Sequence, residues 1–138
     1  MSEVKPEPSV VHKCFLFQGE RNIQSVLSTL AEEFIFEDVS IGTFTRSRKQ
    51  FGYVLSSLFG AFPDATLEIV SEFQTDTQSA VEWKFTGTHT GPFSGFRPMG
   101  KQISCRGASL LELKGGLITK RTDYWDIMTA LRNMMFVK

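Results

Sequence analysis

The chain has 138 residues, a length typical of one domain, and its 15 basic and 15 acidic side chains give a formal net charge of zero. This balance does not favour a nucleic-acid-binding protein, and no apolar run approaches the ~18 residues that a membrane span needs. With 41% hydrophobic residues and 13 phenylalanines, the composition indicates a large aromatic interior that either fills a core or lines an apolar cavity.

The start of the chain is polar and contains two prolines. We therefore expect residues 1–8 to form a disordered tail and residues 9–138 to form a single domain. Cys14 and Cys105 match no metal-binding or redox spacing and are expected to be buried, reduced thiols, which favours a cytoplasmic protein. No cluster of His, Cys, Asp and Glu has the spacing of metal ligands, so no metal site is predicted.

The first half of the chain is mainly helical in pattern. Apolar residues at helical spacing predict helices over residues 9–17 and 20–31, and the β-rich stretch 34–36 predicts a short strand. A loop is expected from Asp38 to Thr45.

A third helix is predicted between Ser47, which can cap it, and about Phe62. Its apolar residues recur at offsets of four, seven and eleven, and this spacing places Phe51 and Leu55 on the face that packs inward.

The second half alternates apolar and polar residues, which predicts strands over residues 67–73, 81–89, 103–113 and 117–126. Gly115-Gly116 predicts a primed hairpin turn between the last two strands, and a short helix is expected over residues 127–134. This order of elements predicts an α+β domain with helices packed on one face of a curved, mostly antiparallel sheet.

The loop between Gly91 and Gly100 carries apolar residues where polar ones are usual. We expect Phe93 and Phe96 either to fold back over the core or to form a lid on a pocket.

Titratable residues lie near the ends of the last strands. A two-residue turn at Gly115-Gly116 would place Ala108 opposite Asp123 and Arg106 one diagonal step away. His89 lies at the end of the neighbouring predicted strand.

The functional interpretation makes Asp123 a general acid or base, with Arg106 and His89 controlling its ionisation or stabilising an oxyanion. The walls of the pocket would be apolar and would include Trp83, Phe85, Trp125, Phe93, Phe96, Phe51 and Leu55. The alternative is that Asp123 and Arg106 form a structural ion pair at a sheet edge, since such pairs also perturb pKa values.

Several motifs, in order, resemble those of the SnoaL-like polyketide cyclases of the NTF2-like superfamily. The resemblance covers about residues 9–132 and is carried by the stretches Phe85–Gly91 (FTGTHTG), Pro98–Lys101 (PMGK), Arg106-Gly107 and Asp123–Asp126 (DYWD).

This resemblance implies a cone-shaped α+β fold in which about three helices and a curved, mixed but mostly antiparallel sheet enclose an apolar pocket. It also implies a homodimer that pairs through the sheet. Cyclases of this family use no cofactor and close a ring by an intramolecular aldol step, with an aspartate that corresponds to Asp123 as acid or base. This chain departs from the pattern at Arg121, where characterised cyclases tend to have histidine, and Arg121 would pair with Asp123.

Three functions fit these observations. The first is a cofactor-free cyclase, isomerase or hydrolase that acts on a small, largely apolar carbonyl compound. The second is a non-catalytic small-molecule-binding protein, and the third is a dimeric interaction module with a vestigial cavity. One fold hosts all three functions, so the fold does not choose between them.

Overall fold

Four helices and six strands make up residues 8–135, the part of the chain that this computed structural model describes. The helices are α1 (Val10–Gly19), α2 (Ile23–Ser28), α3 (Arg48–Ala61) and α4 (Ile127–Met135). The strands are β1 (Leu30–Asp38), β2 (Thr43–Thr45), β3 (Thr66–Gln74), β4 (Gln78–Thr88), β5 (Gln102–Lys114) and β6 (Leu117–Trp125). The predicted tail lies, except for Pro8, outside the described residues.

The six strands form one sheet in the order β2-β1-β6-β5-β4-β3. Every neighbouring pair is antiparallel except β1 and β6, which are parallel. Helix α1 packs against β3 and β6, α3 against β1 and β2, and α4 against β5. The predicted α+β architecture with a mixed, mostly antiparallel sheet is therefore confirmed.

Side-chain caps fix where the helices begin. The Ser47 hydroxyl accepts a hydrogen bond from the Gln50 backbone N–H (3.2 Å), as predicted, and the Asp126 carboxylate accepts one from the Thr129 N–H (3.0 Å) at the start of α4. The second helix is shorter than predicted because Arg21 adopts a left-handed conformation (φ 58°) and Asn22 caps α2.

The first part of the sheet was underpredicted. Strand β1 begins at Leu30, in what was predicted to be helix, and the expected loop from Asp38 to Thr45 contains the short strand β2. Strand β1 is built by pairing with β6, almost ninety residues later, and local periodicity carries no signal of that contact.

The register of the last hairpin differs from the prediction. Lys114 pairs with Leu117 as expected, but a bulge at Thr119 inserts one extra residue into β6. Asp123 therefore lies opposite Ser109, and the predicted pairing with Ala108 is wrong. A one-residue shift in register changes the β5 residue that lies opposite each later residue of β6. This bulge therefore decides which β5 residues meet Asp123.

Candidate active site

A cavity of about 400 Å³ lies between the sheet and the helices. Its walls are mainly aromatic and aliphatic, as is usual for a small-molecule site. All seven residues predicted for the pocket line it: Trp83, Phe85, Trp125, Phe93, Phe96, Phe51 and Leu55.

The middle of the cavity wall is a row of two tryptophans with a glycine between them. Trp83, Gly107 and Trp125 are register partners on β4, β5 and β6. A Cβ atom at position 107 would overlap the Trp83 ring and lie 2.8 Å from the Trp125 Cβ. Glycine is required here because it lets both indoles approach the same point of the sheet.

The loop between β4 and β5 brings two aromatic rings to the cavity. Phe93 and Phe96 exchange backbone hydrogen bonds of 3.1 and 2.8 Å across a tight turn, in which Ser94 and Gly95 both have positive φ angles (47° and 83°). The Phe93 ring meets the Phe62 ring edge-on, with centroids 5.4 Å apart. These contacts place both rings over the cavity.

The polar part of the cavity contains a buried ion pair. Arg121 Nε and Nη2 donate to Asp123 Oδ1 (2.8 Å) and Oδ2 (3.0 Å). The Ser109 hydroxyl also donates to Asp123 Oδ1 (2.5 Å) and accepts a hydrogen bond from Trp83 Nε1 (2.9 Å). Three donated hydrogen bonds therefore fix the Asp123 carboxylate, and the pairing that the sequence predicted between Arg121 and Asp123 is present.

The Arg121 guanidinium is enclosed by aromatic rings, with its carbon 4.5 Å from the centre of the Phe15 ring and 5.6 Å from that of Phe51. Burial would lower the pKa of Arg121, but the charge and hydrogen bonds of Asp123, together with smaller contributions from neighbouring groups, hold that pKa above its ordinary value. Arg121 Nη1 donates to Gln18 Oε1 (2.7 Å), so all the nitrogens of this cation have a partner.

A second carboxylate, Asp38, lies beside the first. Asp38 and Asp123 are register partners on the parallel strands β1 and β6, and both line the cavity. Asp38 accepts hydrogen bonds from Trp125 Nε1 (2.9 and 2.8 Å) and from the backbone N–H groups of Ser40 (3.0 Å) and Ile41 (3.3 Å). Burial, followed by the charge of Asp123, raises the pKa of the Asp38 carboxyl, although these hydrogen bonds oppose the rise.

The structure does not bring Arg106 to the site. Arg106 lies on the outer face of the sheet and pairs there with Glu82. Its predicted position next to Asp123 is wrong because the bulge at Thr119 puts Ser109, not Ala108, opposite Asp123.

The structure also separates His89 from Asp123. Asp123 shares its row of the sheet with Ser109 and Val81, and His89 follows Val81 by eight steps of extended chain, about 26 Å, just beyond the end of β4. His89 is fully buried: its Nδ1 accepts a hydrogen bond from the Met99 N–H (3.3 Å), and its ring centre lies 5.4 Å from that of Phe62.

Comparison with known proteins identifies the family. The family model for SnoaL-like polyketide cyclases matches residues 13–134. The chain belongs to the SnoaL-like polyketide cyclase family. No curated protein is significantly similar to it in sequence.

Solved structures resemble this SnoaL-like chain in fold at low sequence identity. A protein of Jannaschia sp. CCS1 described as a SnoaL-like polyketide cyclase has 16% identity and a TM-score of 0.85, with 99% of this chain and 100% of that chain covered. A protein from Catenulispora acidiphila with a ketosteroid isomerase-like fold, solved with trimethylamine, has 18% identity and a TM-score of 0.80, with 95% and 94% covered. At these identities the likeness concerns the fold.

Sequence reasoning missed three polar residues of this SnoaL-like site: Asp38, Ser109 and Gln18. Each lies at a position where the periodicity of its own helix or strand predicts a buried side chain. Asp38 lies on the same inward face of β1 as Phe34 and Phe36. Ser109 lies on the same face of β5 as Cys105 and Gly107. Gln18 lies one helical turn from the buried residues Cys14 and Phe15 of α1. A polar residue at an apolar position of a periodic pattern was the available signal.

Among residues 8–135, no group of three or more His, Cys, Asp or Glu side chains is arranged to hold a metal ion. Within the same residues, no helix is both long and apolar enough to cross a membrane.

Proposed function

We propose that this protein is an enzyme that moves a proton at a carbon atom next to a carbonyl group, in a small, largely apolar compound. The observation that carries the proposal is the pair of carboxylates, Asp38 and Asp123, which share one apolar cavity but have different surroundings. Two titratable groups in contrasting environments are the usual arrangement for acid–base chemistry at neutral pH. The proposed reaction uses no cofactor.

Asp38 is the better candidate for the group that exchanges the proton. Its hydrogen-bond donors, Trp125, Ser40 and Ile41, are all neutral, and no cation among residues 8–135 is in direct contact with it. A raised pKa makes a carboxylate a stronger base toward a carbon acid. Oδ2 of Asp38 accepts only the Trp125 N–H in the described structure, which leaves lone-pair capacity for a substrate.

Asp123 was assigned the acid–base role from the sequence, and that role remains a prediction. The bidentate contact with Arg121 sets a positive charge beside the Asp123 carboxylate and holds it in one orientation. In the mechanism proposed here, Asp123 fixes Arg121 and keeps the polar part of the cavity rigid, while the proton passes through Asp38.

The proposed chemical step begins with formation of an enolate. Asp38 takes a proton from the carbon next to the carbonyl, the electron pair of that C–H bond forms a carbon–carbon double bond, and the carbonyl π pair moves to oxygen. Where the substrate carries a carbon–carbon double bond conjugated with the enolate, return of the proton from Asp38 to the far carbon of that bond gives an isomer. Attack of the enolate carbon on a second carbonyl of the same molecule, followed by protonation of the new alkoxide, gives a ring, which is the reaction that the family name supports.

Deuterium exchange tests this step without knowledge of the natural substrate. The bicyclic ketone 2-tetralone fits the size and apolar character of the cavity, and its protons next to the carbonyl can be followed by NMR in D₂O. The wild-type protein should accelerate exchange, and Asp38→Asn should reduce that acceleration by about 10²–10⁴-fold. Asp76→Asn, at an exposed position in a turn, is the matched control.

The comparison of variants also decides between the two carboxylates. If Asp123→Asn abolishes exchange while Asp38→Asn leaves it intact, the proton passes through Asp123. No acceleration by the wild-type protein, together with measurable ketone binding, would favour a non-catalytic binding protein. The third function, an interaction module, is the least supported, because the aromatic side chains leave the cavity open.

We also infer that the outer face of the sheet pairs with a second copy of the chain. The exposed residues Phe73 and Leu110 lie in one row, and Tyr124 lies in the next. Arg106 and Glu82 lie on the same face, so a two-fold axis can set each charge against its opposite on the partner. Sedimentation at micromolar concentration should give twice the monomer mass, and a monomer would overturn this inference.

The two free, buried thiols, Cys14 and Cys105, support the expectation of a reducing, cytoplasmic setting.

A further inference from the structure

Gln18 lies in the last turn of α1 and carries a buried amide whose orientation is fixed by the charge of Arg121. Gln18 is 7% exposed, and its side chain meets Arg121 Nη1 at 2.7 Å. An arginine only donates hydrogen bonds, so the atom that faces it must be the amide oxygen of Gln18. The amide nitrogen, Nε2, therefore points away from Arg121.

The partner that orients Gln18 is itself held in place. Arg121 donates to both oxygens of Asp123 and is packed against Phe15. The Gln18 amide is thus oriented before any ligand arrives, and a preorganised donor stabilises a developing charge better than one that must first rotate.

The Gln18 amide nitrogen is a donor without an acceptor. Gln18 lines the same cavity as Asp38, and within residues 8–135 no protein group accepts a hydrogen bond from its Nε2. Nε2 is not among the fully buried polar atoms of the described residues, so a molecule in the cavity can reach it. A ligand oxygen in the cavity can therefore accept a hydrogen bond from this donor.

We propose that the Gln18 amide donates a hydrogen bond to the carbonyl oxygen of the substrate, and that this cavity therefore selects ketones and esters over hydrocarbons of the same shape. The proposal rests on the proposed proton transfer by Asp38. When Asp38 removes the proton next to the carbonyl, negative charge develops on the carbonyl oxygen, and the Gln18 N–H stabilises that charge by donating a hydrogen bond to it. Gln18 then acts on the oxygen and Asp38 on the carbon of one carbonyl group.

The test compares two probes of nearly the same shape, 2-tetralone and the hydrocarbon tetralin. Trp83 and Trp125 line the cavity, so their fluorescence, excited at 295 nm, reports the occupancy of either probe. The variant Gln18→Glu, studied at pH 8, keeps an oxygen for Arg121 but removes the N–H donor. It should lower the ratio of ketone to hydrocarbon affinity by about 2- to 10-fold, the worth of one net hydrogen bond.

Two further variants make the result decisive. Gln18→Met, which has a similar length and no donor, should lower the ratio in the same way and replaces Gln18→Glu if that variant does not fold. Gln24→Met, on the exposed surface of α2, should leave the ratio unchanged. If neither variant at position 18 changes the ratio, the proposal is wrong. The ratio is an equilibrium quantity, so it can be read even if the wild-type protein exchanges no deuterium and the proposed proton transfer fails.

Discussion

Two arginine–carboxylate pairs lie on opposite faces of the same sheet, one almost completely buried and the other exposed. The side chains of Arg121 and Asp123, on the cavity face, are 3% and 9% exposed. Those of Arg106 and Glu82, on the outer face, are 70% and 34% exposed. Removal of one partner leaves an uncompensated charge in the first case and a hydrated charge in the second. The shielded pair can therefore hold the polar part of the cavity in place, whereas the exposed pair contributes little.

The largest effect is expected at the buried pair. Arg121→Met should lower the free energy of unfolding by about 3–5 kcal/mol, because Asp123 would keep a buried charge without its cation. Urea denaturation followed by circular dichroism measures the change. The double variant Arg121→Met/Asp123→Leu removes both charges and should recover much of the loss. A loss below about 1 kcal/mol for the single variant would mean that water enters the cavity and replaces the guanidinium.

A similar contrast separates two glycines, one between the tryptophans of the cavity wall and one on the exposed side of α3. Gly107→Ala should lower the free energy of unfolding by about 1–3 kcal/mol, because the new methyl group overlaps the Trp83 ring. Gly60→Ala meets no atom within 4 Å and should raise stability by about 0.5–1 kcal/mol through helix propensity. Thermal denaturation of both variants gives the comparison, and effects of the same sign would contradict it.

Much of the fold was predictable because its signals are local. The spacing of Phe51 and Leu55 on α3 and the alternation of Trp83 and Phe85 on β4 follow from helical and strand periodicity, and the structure buries or half-buries all four. The sequence motifs predicted the family for the same reason.

The arrangement of charges was not predictable in the same way. The bulge at Thr119 has no residue signature, yet it decides that Ser109 rather than Ala108 meets Asp123. The contact between Asp38 and Trp125 joins residues 87 positions apart, so it depends on the pairing of β1 with β6 and not on any local pattern. Long-range register positions the site, and one inserted residue changes it.

A smaller effect, visible in its pH dependence, is expected at Asp38. Burial raises the pKa of this carboxyl above that of the unfolded chain, so its contribution to stability is fully present below the ordinary carboxyl pKa and is lost as the pH rises through the raised pKa. The asparagine of the Asp38→Asn variant does not titrate. As the pH rises from the ordinary carboxyl pKa through the raised one, the melting temperature of this variant should therefore fall less than that of the wild type.

Asp64 is the control for the sign of this effect. Hydrogen bonds from the backbone N–H and hydroxyl of Thr88 lower the pKa of the Asp64 carboxyl. Its contribution is therefore present above the ordinary carboxyl pKa and is lost as the pH falls through the lowered pKa, and Asp64→Asn should remove stability mainly at neutral pH. Melting curves at a series of pH values test both variants, and parallel pH profiles for the two would contradict the contrast.

The smallest effect is expected at the exposed pair. Arg106→Gln should leave the unfolding transition of the isolated chain unchanged within error, because Glu82 remains hydrated and keeps its hydrogen bond from the Ser71 hydroxyl. If the outer face pairs with a second copy, the same variant should instead weaken association, and its melting temperature should fall more steeply on dilution than that of the wild type. The contradicting result is a loss of stability in Arg106→Gln as large as that in Arg121→Met and independent of protein concentration. It would show that the outer ion pair is as shielded from water as the inner one, so that the two faces of the sheet do not differ.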